Sequence, residues 1–295
     1  MDVNNLPEST NVSEVGRGGG SSYAPRGGGG IRVGAVGTIL AVVVGLFLGV
    51  NPLQILGLLS GMGSFSPGTQ VPNTSGPVNT KDPNNVFVKR ILGSTEQMWT
   101  EEFRQLGRTY QAPQLILFHG AVSSACGQAS AASGPFYCSG DEHVYLDTSF
   151  FAELSQRFGA TGDFANAYVI AHEVGHHVQN QLGISDQVMQ AAQGDPERLK
   201  GDNGLSVRQE LQADCFAGMW GRSAQEAAKL TQKDLQDALN AAHSIGDDTI
   251  QRQSRGYVTP DGFSHGTSQQ RMKWFTTGFK TGDIKQCDTF NVRNP

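Results

Sequence analysis

The chain has no C-x-x-C pair, no cluster of Lys and Arg, and no internal repeat. Without a C-x-x-C pair, cysteine-ligated metal knuckles are disfavoured. Without a basic cluster, and with a formal net charge of −5, the chain lacks the electrostatic footprint of a nucleic-acid binder. Without a repeat, a repeat array is excluded. Charge is missing from one long interval, since no Asp, Glu, Lys or Arg occurs from residue 33 to residue 80. Histidine is scarce at 7 in 295 residues, so two of them close together around a glutamate stand out from background.

Residues 1–30 hold almost no apolar side chains, and Gly18 to Gly20 and Gly27 to Gly30 punctuate them. Such a stretch has too little surface to bury and is expected to be a disordered Gly-rich tail. Residues 31–60 are the opposite: a run of Val, Leu, Ala, Gly, Ile and Phe, interrupted at Asn51-Pro52 and resumed over residues 53–59. It lacks the polar stripe of a core helix and starts too far into the chain for a signal peptide. Its length suits one transmembrane helix. Arg17, Arg26 and Arg32 precede it, and the next basic residue is Lys81. The positive-inside rule then predicts a single-pass protein of the bacterial cytoplasmic (inner) membrane, with a cytoplasmic tail and a periplasmic or extracellular domain. Residues 61–85 are rich in Pro, Gly, Ser and Asn and read as a linker, which leaves residues 86–295 as one domain. An even count of four cysteines fits export and disulfide formation. The pairings Cys126–Cys138 and Cys215–Cys287 are favoured among three possibilities, and a buried free thiol at Cys215 is the alternative.

The segment His172-Glu173-Val174-Gly175-His176 reads H-E-x-x-H. Asp163 can cap a helix whose apolar positions are Phe164, Tyr168, Ala171, Val174, Val178 and Leu182, and Gly183 can end it. One helical turn separates the two histidines, so both imidazoles leave one face and can grip one metal ion. Glu173 is placed to touch a metal-bound water without ligating the metal. Gly175 in mid-helix costs about 1 kcal/mol relative to Ala, which calls for a close neighbour there. A third ligand is sought downstream, where Ser206 and Gln209 resemble a capping box at the start of a helix carrying Glu210 and Asp214 on one face. Glu210 is the expected ligand. Asp214, beside Cys215, Phe216 and Ala217, is expected to accept a hydrogen bond from a ligand histidine. The bland alternative leaves both carboxylates solvated, and another makes Asp214 the ligand, as in aspzincins.

H-E-V-G-H followed by E-L-Q-A-D resembles the gluzincin pattern of thermolysin and the HtpX-like endopeptidases. More closely, the chain resembles the bacterial neutral zinc metallopeptidase family. The blocks that carry this are Ala125-Cys126-Gly127, Gly134-Pro135-Phe136-Tyr137-Cys138, Val144-Tyr145-Leu146-Asp147, residues 172–177, residues 210–218 and residues 265–271. The resemblance implies one Zn2+ ion held by His172, His176 and Glu210, with Glu173 as general base. In the HtpX-like group a His-x5-Arg stretch follows the metal helices. His265 would then stabilise the oxyanion, and Arg271 would pair with a buried carboxylate. Gly266 stands where that group has Pro, so the local backbone is expected to differ. The plainer reading is that Thr267 and Gln270 cap a last helix ending near Gly278. His119, His143, His177 and His243 read as ordinary exposed or hydrogen-bonded histidines.

Helices are expected over residues 86–92, 94–106, 148–158 and 231–244 besides the two metal helices, and strands over 115–118 and 144–146. This is a mainly helical α+β, zincin-like domain with a small edge sheet, residues 144–147 forming the edge that would hold an extended peptide. The expected function is membrane-anchored endopeptidase action on peptide or unfolded protein. The rival is a zinc-containing, non-catalytic binding or chaperone-like ectodomain.

Overall fold

The computed structural model describes residues 1–15 and 75–295. Its strands are β1 (Val12–Val15), β2 (Ser75–Gly76), β3 (Gln114–Leu117), β4 (Ala121–Ser124), β5 (Gly127–Ser130), β6 (Phe136–Cys138) and β7 (His143–Leu146). Its helices are α1 (Pro83–Gln105), α2 (Phe150–Gln156), α3 (Asp163–Gln181), α4 (Ile184–Ala192), α5 (Leu205–Ala224), α6 (Gln232–Ser244), α7 (Asp247–Arg255) and α8 (Ser268–Thr281). The α+β class is as expected. Among the described residues no helix is long and apolar enough to cross a membrane, and the expected span over residues 31–60 lies outside them.

Five strands form one mixed sheet in the order β2-β1-β3-β7-β6, and β4 with β5 forms a separate hairpin. β3 pairs parallel with both β1 and β7, whereas β2 and β6 add antiparallel at the two edges. Strand alternation sorts the side chains. Leu115, Leu117, Val144 and Leu146 face the helices and join the main core. Ile116, Tyr145 and Val15 face the other way, onto a smaller cluster with Phe118, Val122 and Cys138. The central helix is α3, whose Phe164, Tyr168, Ala171, Val174 and Val178 are buried against its neighbours. Helices α5 and α8 pack almost backbone to backbone: a Cβ at Gly278 would lie 1.9 Å from the Cys215 carbonyl oxygen, and one at Gly218 would lie 2.1 Å from that of Phe275. Both favoured disulfides form, Cys126–Cys138 across the small cluster and Cys215–Cys287 from α5 to the C-terminal segment.

Several expectations are corrected. The two helices read on either side of Gly93 are one helix, α1. Gly93 looks like a break, but it and Ser94 each have a tertiary reason. The Ser94 hydroxyl accepts from Trp220 Nε1 at 2.8 Å, and a Cβ at Gly93 would lie 2.3 Å from the Pro7 carbonyl oxygen. That neighbour exists because residues 1–15 are ordered, against the expectation of a disordered tail. Leu6, Ser9, Val12 and Val15 are buried, Ser9 Oγ and Asn11 Nδ2 both donate to Glu96, and β1 lies inside the sheet. Too few apolar residues lie here for a core of their own, and they fold by borrowing one. The linker read over residues 61–85 likewise supplies β2 at Ser75–Gly76 and the first turn of α1. The strand read as the exposed edge, β7, is interior, and β6 is the edge. Asp163 is the first residue of α3 and not its cap, while α5 starts after Gly204 with no side-chain cap, Gln209 being turned to Ser185. The Thr267–Gln270 capping box does form, and α8 runs on to a left-handed cap at Gly282.

In an exposed helix Gly→Ala gains up to about 1 kcal/mol. Gly93→Ala is expected to do the reverse and lower the unfolding free energy of the full chain by about 2 kcal/mol, because the new methyl meets backbone at Pro7 and Ser9. A denaturant titration in which this variant is more stable than the parent would remove residues 7–9 from that face.

Candidate metal centre

Helix α3 presents His172 and His176 one turn apart, with ring centroids 4.8 Å from each other. Each ring is held by its Nδ1. His172 Nδ1 lies 2.9 Å from Asp214 Oδ1, and His176 Nδ1 lies 2.9 Å from Gln179 Oε1. With acceptors at both Nδ1 atoms, the ring protons belong there and both Nε2 lone pairs point to one place. The two Nε2 atoms are 3.2 Å apart. From α5, Glu210 brings Oε2 to 3.1 Å from His172 Nε2 and Oε1 to 3.4 Å from His176 Nε2. Tetrahedral zinc at ligand distances of 2.0–2.1 Å separates its ligand atoms by about 3.3 Å. The cluster His172, His176 and Glu210 therefore fits a zinc ion in spacing as well as in donor type.

The electrostatics agree with the geometry. Burial disfavours charge on His172, yet the Asp214 and Glu210 carboxylates outweigh it and raise its pKa to about 10. Burial would raise Glu210, but His176, His265 and His172 hold it well below the usual carboxylate range. Carboxylates that favour positive charge at His172 make a field that attracts a cation.

Asp214 is fully buried, and its oxygens are occupied. Oδ1 receives Tyr168 OH at 2.5 Å, His172 Nδ1 at 2.9 Å and Arg271 Nη2 at 3.0 Å, while Oδ2 receives Arg271 Nε at 2.9 Å. It lies outside the converging trio, with both of its oxygens already paired inside the protein. Arg271 is 1% exposed and also donates to the Ile245 carbonyl, so its expected pairing with a buried carboxylate is met. Gly175 also has its neighbour: α5 crosses there, and a Cβ would lie 3.1 Å from Ala213.

Glu173 and His265 line the same cavity as the trio, a space of about 310 Å³. Burial pushes the Glu173 carboxyl up, against the pull of His172, His176 and the Tyr137 backbone of β6. His265 Nδ1 lies 3.2 Å from Asp247 Oδ1 and 3.0 Å from Ser264 Oγ. Asp247 Oδ2 accepts the backbone N–H groups of Ser264 and His265 at 2.7 Å and of Gly266 at 3.1 Å. Gly266 adopts φ 90°, which Pro cannot reach. The rest of the lining includes the apolar Phe150, Val169, Val188, Met189 and Leu199 beside Ser133, Ser139, Ser185 and Ser206. His177 points away and binds the Gln111 carbonyl at 2.7 Å, and His119 lies 3.1 Å from Glu14, both ordinary structural roles.

Sequence reading missed Gln179, Asp247 and the role of Tyr168. Gln179 and Tyr168 sit at i+3 and i−4 from the ligand histidines they serve, a helical spacing that could have found them. Asp247 reaches His265 through a turn closed only by tertiary packing.

The chain belongs to a family described as "Putative neutral zinc metallopeptidase", whose model matches residues 1–290. Among its relatives, the Escherichia coli K12 protein named "Uncharacterized protein YpfJ" is 46% identical over 285 residues, covering 96% of both chains. The Mycobacterium tuberculosis H37Rv protein named "Uncharacterized protein Rv2575" is 43% identical over 219 residues, covering 70% of this chain and 72% of its own. No solved structure matches.

Glu210→Gln is expected to abolish zinc binding as read by calorimetric titration of the metal-free protein. Asp214→Asn should weaken it by about 10–100-fold while leaving the ligand set intact. The reverse order would make Asp214 the ligand.

Proposed function

We propose that this protein is a zinc-dependent endopeptidase that cleaves peptide or unfolded protein at the outer face of the cytoplasmic membrane, to which the apolar run of residues 31–60 attaches it. The observation that carries the catalytic reading is Glu173: a buried carboxyl that lines the same cavity as the trio and stands outside it. A purely structural zinc site has no use for it. The compartment rests on two disulfides in a chain that keeps no free cysteine, a pattern of oxidising environments.

His172, His176 and Glu210 would hold the ion, which supplies Lewis acidity to water and to the scissile carbonyl. Glu173 takes the proton from the attacking water, helped by the burial that raises its basicity, and hands it to the leaving amine. His265, kept in place by Asp247, donates to the oxyanion. The substrate backbone is expected to lie along β6, the sheet edge that lines the cavity, where strand addition needs no particular sequence. The apolar wall around Val188 and Met189 favours an apolar side chain beside the cleaved bond.

Glu173→Gln should keep zinc at full stoichiometry and lose activity on an unfolded protein substrate by about 10²–10⁴-fold. Full activity in that variant would sink the mechanism. His265→Ala should also retain zinc and lose about 10²–10³-fold in kcat with little change in KM, as befits a group serving only the transition state. A loss confined to KM would instead make His265 a binding residue.

A further inference from the structure

The two histidines of the trio are held in different ways. Behind His172 stands a charge, Asp214. Behind His176 stands a row of neutral amides that runs away from the cavity. His176 Nδ1 lies 2.9 Å from Gln179 Oε1, Gln179 Nε2 lies 3.1 Å from Gln212 Oε1, and Gln212 Nε2 lies 3.0 Å from the Cys287 carbonyl oxygen. Gln179 Nε2 also donates to the Gln209 carbonyl at 2.7 Å. Both glutamines are buried, so their polar atoms must find partners inside the protein.

An amide side chain can be turned either way round, and its direction is set by partners that have a single role. The two backbone carbonyls have a single role, since they only accept. The Cys287 carbonyl draws Nε2 of Gln212 toward itself and so turns Gln212 Oε1 to Gln179. The Gln209 carbonyl and Gln212 Oε1 together claim Nε2 of Gln179, which turns its Oε1 to His176. The imidazole must then donate. Its proton sits on Nδ1, and the Nε2 lone pair faces His172 and Glu210. The reverse arrangement sets oxygen against oxygen at Gln209 and at Gln212. It also moves the His176 proton to Nε2, onto the lone pair that a metal ion needs.

The far end of the row is fixed on its own account. Gln212 and Cys215 lie three residues apart on α5 and share a face. Both reach Cys287, Gln212 through the carbonyl and Cys215 through the disulfide. Arg208, one turn earlier on α5, donates to the carbonyls of Thr289, Phe290 and Val292. The backbone that ends the row is thus held by a covalent bond and by charge-assisted hydrogen bonds.

We infer that Gln212 is a positioning residue for the metal centre: acting through Gln179, it holds His176 in the tautomer that offers Nε2 to a metal ion. This rests on the zinc reading of His172, His176 and Glu210. It gives a role to a side chain that stands outside both the trio and the cavity lining.

The test uses the full-length chain, stripped of metal and labelled with nitrogen-15 histidine. Long-range proton–nitrogen correlation spectra report which ring nitrogen of His176 carries the proton, its signals being identified by their loss in His176→Ala. In the parent that nitrogen should be Nδ1. A parent ring protonated on Nε2 alone overturns the inference, and this reading needs no further variant to fold. Zinc affinity is then measured by competition with a chromogenic chelator. Gln179→Met should weaken it by about 10–100-fold and let the ring protonated on Nε2 appear, and Gln212→Met should weaken it by about 10-fold. Because Gln212 acts through Gln179, the double variant should bind zinc no more weakly than Gln179→Met alone. Losses that multiply in the double variant overturn the inference, and so does parental affinity in Gln212→Met. A parent that binds no zinc sinks the metal reading itself, whereas the tautomer is read without zinc. No readout involves peptide cleavage, so failure here is distinguishable from failure of the peptidase assignment.

Discussion

A single buried carboxylate organises the centre of this molecule. Asp214 is sealed from solvent, and a bare charge in that position would be strongly unfavourable. It is made tolerable by Arg271 from α8, His172 and Tyr168 from α3, and its own place on α5. Three helices are thereby pinned to one another around one charge. The backbone approach of Gly218 to Phe275 and of Gly278 to Cys215 brings α5 and α8 close enough for this to happen. The trio His172, His176 and Glu210 sits one layer further out, so His172 inherits its orientation from a charge outside the trio.

The same logic of nested support recurs around the cavity. Gln179 holds His176 and is itself held by the Gln209 carbonyl and Gln212. Asp247 closes a turn by accepting three successive backbone N–H groups while it holds His265. Tyr137 ties the edge strand to α3 through its hydroxyl, 3.2 Å from His177 Nδ1. The strand that would receive substrate and the helix that carries the chemistry are thus held in fixed register. Preorganisation of this kind allows a hydrolytic site to act without rearranging its dipoles during reaction.

The ligand set was legible because helical geometry makes spacing a direct statement about direction. H-E-x-x-H places two imidazoles on one face whatever surrounds them, and Glu210 with Asp214 repeats the same four-residue interval on α5. Helix caps were less legible, since Asp163 and Ser206 had the right chemistry but chain entry from Gly162 and Gly204 made them unnecessary. Short strands escaped notice for a different reason. β1, β5 and β6 are three or four residues long and only partly apolar, and a strand of that length has no stability outside a sheet. Gly93 was misread as a break because its neighbour, the backbone of Pro7, is remote in sequence.

By itself, the sequence determined the candidate metal trio, the carboxyl beside it, the α+β class and a choice of disulfide pairings, all properties set by local periodicity, residue chemistry and count. Only the tertiary structure decided that Asp247 stands behind His265, that β6 and not β7 is the open edge, and that the polar N-terminal residues belong to the folded body. Each of those depends on which distant backbone supplies a missing hydrogen bond or hydrophobic neighbour. Residues 1–15 have too little apolar surface to fold alone, and their structure exists only because β3 and α1 offer them a place to pair and pack.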